Sequence, residues 1–391
     1  MKTVLIISYS PLHSDPRVLR QIQVLKNNYN IHTIGYTSAN IKEINYYDIN
    51  QIIKRTFLQK IKRRLNFEYW RSRYFINYSE RLEKILNKNY ILSHEIQTPD
   101  IIIANDWNGL YLASQLKKKN NWNTKIYFDA HEYAPREYDN SIKWRIFHQP
   151  MIIWALKQCK DDISVMSTVC EGIAREYEKF FNFPNGSVKI ITNSPEYNSN
   201  LKPTTIGGEI IKIIHHGGAS KSRKLELMIS MMKYLNPQKY ELTFMLVKND
   251  QKYYNYLINI SRKFKNIKFI EPVSFSDIVT TLNNYDLGIY ILQPHNFNDK
   301  YALPNKFFEF IQARLATAIG PSIEMAKIVK QYGLGVCSDK FTPKSLAEAI
   351  SQLTPEKIMG YKKNAHKYAR ELSADENIIK IKNIITKLAE E

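Results

Sequence analysis

The chain alternates short apolar runs with amphipathic stretches. Residues 4–8, 31–36, 99–107, 125–132, 164–169 and 188–193 are runs rich in branched apolar residues with polar ends. That pattern predicts strands buried on both faces. Between the first two, 17–25 carries Val18, Ile22 and Leu25 at helical spacing. Pro16 suits the first turn of that helix and Ser14 or Asp15 its cap. A second helix is predicted over 170–180. Strand, loop, helix, strand is the opening of a parallel doubly wound sheet. The pattern then restarts. Strands are expected at 210–218, 242–247, 267–270, 287–291 and 316–319, and helices at 225–235, 304–314, 323–332 and 343–353.

Two such series predict an α/β protein with two Rossmann-like βαβ domains facing across a cleft. The first spans 1–197. A linker over 198–209 contains Pro203, Gly207 and Gly208. The second domain spans 210–373, and an amphipathic helix within 374–391 is expected to cross back to the first. A chain of 391 residues is long enough for both cores.

Charge changes this picture more than composition does. At 44% hydrophobic and 24% charged the chain has ordinary globular proportions, but its net charge is +19. Acidic partners follow: nucleotide phosphates, anionic lipid or nucleic acid. Much of the excess lies at 51–84, where Ile53, Phe57, Ile61 and Leu65 recur every four residues among cations and aromatics. Such a segment suits contact with an anionic membrane surface; a solvated helix on the first domain is the structural alternative. The aromatics and cations match no known nucleic-acid module, so nucleic acid is the weaker partner. No apolar run approaches the roughly 20 residues that span a bilayer. Cys159, Cys170 and Cys337 have no CxxC spacing, so neither a disulfide framework nor a zinc site is expected. The expected location is cytoplasmic, or peripheral on the inner face of the plasma membrane.

Candidate chemistry gathers at strand ends, where doubly wound sheets bind ligands. The first loop lacks GxGxxG, which argues against a dinucleotide-binding dehydrogenase. Asp106 ends one run; Asp129, His131 and Glu132 end another. Gly217 and Gly218 would let the backbone approach a ligand closely, and Arg223 and Lys224 behind them could grip a diphosphate. Pro304 opens a helix on which Lys306 and Glu309 share a face near the N-terminus. That end attracts anions, and Glu309 could accept two hydroxyl hydrogen bonds from a ribose. A helix cap with a surface ion pair is the plainer alternative.

Taken in order, these stretches resemble a GT-B glycosyltransferase, nearest to glycosyltransferase family 4. The resemblance rests on Ser14-Asp15-Pro16-Arg17, Asn105-Asp106-Trp107, Asp129-Ala130-His131-Glu132, His216-Gly217-Gly218, Arg223-Lys224-Leu225-Glu226 and Leu303-Pro304-Asn305-Lys306-Phe307-Phe308-Glu309. It implies sugar transfer from a nucleotide-sugar to a glycan or lipid-linked acceptor in bacterial surface polysaccharide synthesis, with retention of configuration. No cofactor or metal is implied. Gly217, Gly218, Arg223, Lys224, Asn305 and Lys306 would surround the donor phosphates, and Glu309 would hold the ribose. His131 and Asp106 would be catalytic, with Asp15, Arg17 and Glu132 on the acceptor side. The chain departs from the family's pattern in three places. Lys224 and Arg314 replace common glycines, and Tyr301 stands where the first acid of a paired-Glu pattern belongs. A nucleotide-sugar epimerase of similar shape, a basic nucleic-acid binder and a catalytically inert donor-binding scaffold are the rival readings.

Overall fold

The computed structural model describes residues 1–49 and 98–390, so the basic segment 51–84 lies outside the described residues. The chain divides into two compact units. One comprises Met1–Ile191 and Ile378–Glu391, the other Thr192–Asn377.

In the first unit the strands are β1 (Thr3–Ile7), β2 (Asn30–Gly35), β3 (Asn45–Asp48), β4 (Ile101–Asn105), β5 (Lys125–Ala130), β6 (Ile163–Thr168) and β7 (Lys189–Ile190). They form one sheet in the order β3-β2-β1-β4-β5-β6-β7, every pair parallel. Helices on the faces include α1 (Pro16–Leu25), α2 (Asp106–Lys119), α3 (Ile142–Phe147), α4 (Gln149–Cys159) and α5 (Glu171–Phe181). Burial on both faces explains the unbroken apolar runs: all five residues of β1 and of β4 are buried. The run expected over 99–107 stops early. Asp106 has φ 58° and is the first residue of α2, so it belongs to a turn and a helix start rather than to a strand. The strand expected over 188–193 is reduced to the two residues of β7.

The second unit holds β8 (Ile211–Gly218), β9 (Tyr240–Val247), β10 (Ile267–Ile270), β11 (Leu287–Tyr290), β12 (Ala316–Ile319) and β13 (Gly335–Cys337), ordered β10-β9-β8-β11-β12-β13 and again parallel. The helix expected over 225–235 ends early: Glu226–Met231 is α-helical and Met232–Tyr234 is a tighter turn. Pro237 follows closely, and the residue before a proline disfavours helical backbone. β13 was not foreseen. Its Gly335 has φ 157°, and a Cβ there would lie 1.9 Å from the Thr317 carbonyl oxygen, so only glycine fits the strand there.

Three helices of this half matter below: α6 (Asn305–Gln312), α7 (Pro355–Tyr368) and α8 (Ala374–Glu390). A Cβ on Gly288 would fall 2.4 Å from the ring of Phe310, so that glycine lets α6 seat directly on β11. Residues 198–209, expected as a linker, are tied into this unit. Arg314 Nη2 donates to the Asn198 carbonyl at 2.7 Å, and the fully buried Lys362 of α7 donates to Thr204 Oγ1 at 2.9 Å. α8 starts in the second unit, where Asn377 makes paired hydrogen bonds with the Thr192 backbone. Further along, Ile381, Ile385 and Leu388 join Val4, Ile6, Val18 and Ile22 in the core of the first unit.

Candidate functional site

In the second unit chain order reverses between β8 and β11, the point where a doubly wound sheet opens a crevice at its carboxyl ends. Four segments meet there: the end of β8, the turn after it, the end of β11 and the first turn of α6. Gly217, one residue before the end of β8, has φ 123°, and Lys306 Nζ lies 2.9 Å from where its Cβ would be. Any side chain at 217 would therefore displace the Lys306 ammonium. Gly218 packs against the Asn249 amide; a Cβ there would lie 3.0 Å from its nitrogen, tighter than ordinary contact.

Tyr290 joins the cations. Its ring lies 4.6 Å beneath Lys306 Nζ, and its hydroxyl accepts from Arg223 Nη1 at 3.3 Å. His215 Nδ1 is 2.9 Å from the Ile289 carbonyl, which can only accept, so the proton sits on Nδ1. Nε2 is then an acceptor, 3.4 Å from Lys306 Nζ. Burial and the neighbouring Lys306 hold His215 well below the usual imidazole range, so it is neutral.

Burial strains the charges of this cluster. It pushes Lys306 down to about 7, with Arg223 adding repulsion and Glu309 opposing the shift. It pushes Glu309, 5% exposed, up to about 7, with Lys306 opposing. His216 is driven down to about 3, mainly by burial. Its Nε2 is 3.2 Å from Glu309 Oε2 but out of line for a hydrogen bond, and so is buried without a hydrogen-bond partner. Asn305 is the exposed first residue of α6, and no side chain caps that helix. Together these groups place two cations, an uncapped helix start and a carboxyl side by side, a set of partners suited to an anion and to hydroxyl groups.

Two residues in this region were not foreseen. Asp299 lies 3.8 Å from Arg223 Nη1 and is partly buried, which raises its carboxyl above the usual range. Its backbone N–H caps onto Asn296 Oδ1 at 2.7 Å, in a short helix Phe297–Lys300. Counting along the sequence lands on Tyr301, but the acid that reaches the Arg223 side is two residues earlier. Tyr290 lies in the strand expected over 287–291, and nothing in that apolar run marks it as a partner of the cations. Lys224 lies nearby with φ 47°, its Nζ donating to Gln293 Oε1 at 2.9 Å. Arg314 has φ 62° and is fully buried. Both positions that lack the family's glycine are thus left-handed, the conformation glycine adopts most cheaply.

The first unit has its own switch point, between β1 and β4. Asp106 and His131 meet there: Asp106 Oδ1 accepts from the His131 backbone N–H at 2.9 Å, and both residues are exposed. Glu132 is exposed beside them, and its carbonyl accepts from Tyr177 at 2.8 Å. Glu137, not singled out from sequence, feels Asp106 as a like charge, and burial is the larger cause of its raised carboxyl.

Asp15 and Arg17 are engaged structurally. Asp15 caps α1, accepting from the backbone N–H groups of Arg17 and Val18 at 3.1 and 3.3 Å. The Arg17 guanidinium grips Asp129 through two nitrogens, Nε at 2.6 Å. Asp129 also accepts from Gln21 at 2.8 Å and from Ser167. It is 1% exposed, so the expectation that it faces a crevice is corrected: it neutralises a buried arginine.

Among the described residues no group of three or more His, Cys, Asp or Glu side chains could hold a metal ion, and no helix is long and apolar enough to cross a membrane.

No family model and no curated protein matches the chain. Solved structures do. Sucrose-phosphate synthase of Thermosynechococcus elongatus superimposes with a TM-score of 0.73 at 11% identity, over 99% of each chain. Anabaena HepE in complex with UDP-glucose gives 0.68 at 13%, over 99% of this chain and all of that one. A glycosyltransferase from Rickettsia africae gives 0.64 at 12%, over 99% and 98%. At such identities the likeness shows the fold: α/β with two Rossmann-like domains, the GT-B architecture.

Proposed function

We propose that this chain is a glycosyltransferase that takes a sugar from a nucleotide-sugar donor, held by the second unit, to a glycan or lipid-linked acceptor. One observation carries the reading: Arg223, Lys306 and Glu309 converge around Tyr290 and Gly217 at the switch point of the second sheet. A nucleoside diphosphate has the matching chemistry. Its phosphates would meet Lys306, Arg223 and the uncapped start of α6, and its ribose diol would meet Glu309. Solved structures of the same fold include one bound to UDP-glucose, which supports that class of donor.

Chemically, the bond from the anomeric carbon to the diphosphate oxygen breaks, the acceptor hydroxyl oxygen bonds to that carbon and gives up its proton to the departing diphosphate or to solvent, and negative charge grows on the leaving phosphate. Preorganised cations aimed at that charge stabilise the transition state more than the ground state. Arg223 offers a fork and Lys306 a point charge. Phosphate beside Lys306 raises its proton affinity again, so bound donor and charged lysine support each other. In the first unit, Asp106 and His131 are assigned to the acceptor side, with His131 towards the transferred sugar. Retention of configuration and a role in bacterial surface polysaccharide synthesis follow from the family resemblance and belong to the same proposal. So does independence of a metal, whose part the cations would take.

A thermal-shift screen against UDP, GDP, ADP and CMP tests the reading. A ligand at a hundred times its Kd raises stability by roughly 2.7 kcal/mol. One nucleotide should shift the wild type, and Arg223→Ala should weaken it by about tenfold or more, a charged hydrogen bond's worth. Absence of any shift, or full affinity in the variant, would move the donor site elsewhere. Product analysis without acceptor separates transfer from epimerisation.

A further inference from the structure

Exposed large apolar side chains cluster in one place. Among the described residues, Tyr138, Ile142, Ile146 and Trp154 fall within a short stretch of the first unit and are 53%, 66%, 53% and 40% exposed. Apart from Val273 and Phe275, the others are scattered singly along the chain, which is ordinary for a protein surface. This group sits on α3, α4 and the approach to them. Helical spacing brings its members together. Ile142 and Ile146 are four apart on α3 and share a face; the half-buried Ile153 and the exposed Trp154 lie on α4, which follows after one residue. The opposite face, with Trp144, Met151, Ile152 and Ala155, is buried in the unit. The outer face of α3 is apolar as well, with Ile142 and Ile146 more than half exposed, while Trp154 on α4 keeps 40% of its surface exposed and packs on Tyr111.

Cations are exposed on both helices, Lys143 and Arg145 on α3 and Lys157 on α4, and no acidic residue occurs from 140 to 160. The acids beside Tyr138 are engaged within the fold, Asp139 by Arg136 at 2.7 Å and Glu137 by the Tyr138 hydroxyl. Apolar side chains interleaved with long cations, and a tryptophan at the margin, are the composition of a helix that lies in a lipid interface. The isoleucines enter the acyl boundary, tryptophan settles at headgroup depth, and the cations meet anionic headgroups. A protein partner of acidic character would satisfy the cations. It would not by itself call for two isoleucines with more than half their surface in water.

We infer that the outer face of α3 and α4 is a docking surface for an anionic lipid bilayer. The segment 51–84 takes no part in the inference, which stands on α3 and α4 alone.

Flotation of the full-length protein with vesicles tests it. Phosphatidylcholine vesicles and vesicles with 30% phosphatidylglycerol serve as probes, compared with Ile142→Ser/Ile146→Ser and with Lys143→Gln/Arg145→Gln. These side chains are exposed, so folding should persist, checked by an unchanged melting temperature. The wild type should float with the anionic vesicles at least tenfold better than with neutral ones. Each double variant should lose tenfold or more. Full binding by the isoleucine variant would overturn the assignment and point to another part of the chain. No binding by the wild type would overturn it too. So would a concentration-dependent dimer, abolished by the isoleucine changes, without lipid binding; the face would then join two copies.

Discussion

The two switch points treat buried charge in opposite ways. In the first unit Asp129 is surrounded by donors from Arg17, Gln21 and Ser167, and its charge is neutralised within the fold. In the second, Lys306 and Glu309 are both driven to about 7, and His216 Nε2 is buried without a hydrogen-bond partner. The first network gives the Asp129 carboxylate donors from three side chains and leaves over one nitrogen, Arg17 Nη1. The second gives neither Lys306 nor Glu309 a counter-charge strong enough to offset burial. A satisfied buried pair maintains a fold, whereas buried groups held away from their usual titration range mark a place where something binds.

The sharpest break in that contrast is expected at Asp129. Asp129→Ala leaves the Arg17 guanidinium buried without its counter-charge, and should cost about 3–5 kcal/mol in denaturant unfolding. A loss under about 1 kcal/mol would mean that the first unit's network is no more committed to stability than the second's.

Glu309→Gln should behave in the reverse sense. Nucleotide affinity should fall by tenfold or more while the ligand-free protein holds or gains stability. The pH dependence has a definite sign. A carboxyl at about 7 in the folded state and near 4.5 when unfolded binds more protons folded, so wild-type stability falls as pH rises from about 4.5 to 7. Glutamine does not titrate, so the variant's melting temperature should gain on the wild type through that window. A constant difference would show that Glu309 is not held out of its usual range.

A smaller effect refines the donor side. Asp299 is 3.8 Å from Arg223, too long for a charge-assisted hydrogen bond, and its carboxylate, which takes one backbone hydrogen bond from His295, keeps acceptor capacity for a sugar hydroxyl. Asp299→Asn should leave UDP binding unchanged or slightly tighter, and weaken UDP-glucose about fivefold by calorimetry. Equal losses for both would make Asp299 a support for Arg223 instead.

What could be read in the sequence follows from how local the signal is. Buried parallel strands announce themselves as unbroken apolar runs, so the two series of strands and the placement of Arg223, Lys306 and Glu309 near one switch point were legible. Lys224 and Arg314 were not legible as left-handed positions, because the residue that ordinarily marks such a position is glycine. Here side-chain bonds accompany the conformation: Lys224 to Gln293, and Arg314 to the Gln312 and Asn198 carbonyls. Asp299 escaped because counting from Glu309 assumes a fixed path, whereas a short capped turn carries the acid round. Asp129 misled because a strand-end carboxylate looks the same whether it points to solvent or to an arginine 112 residues away in the chain.

The core of the first unit includes Ile381, Ile385 and Leu388, which are translated only after the whole second unit. On the ribosome, the half whose synthesis begins first is therefore the half completed last. Until α8 is made, the places that Ile381, Ile385 and Leu388 fill in the first unit's core stay open while the second unit is synthesised.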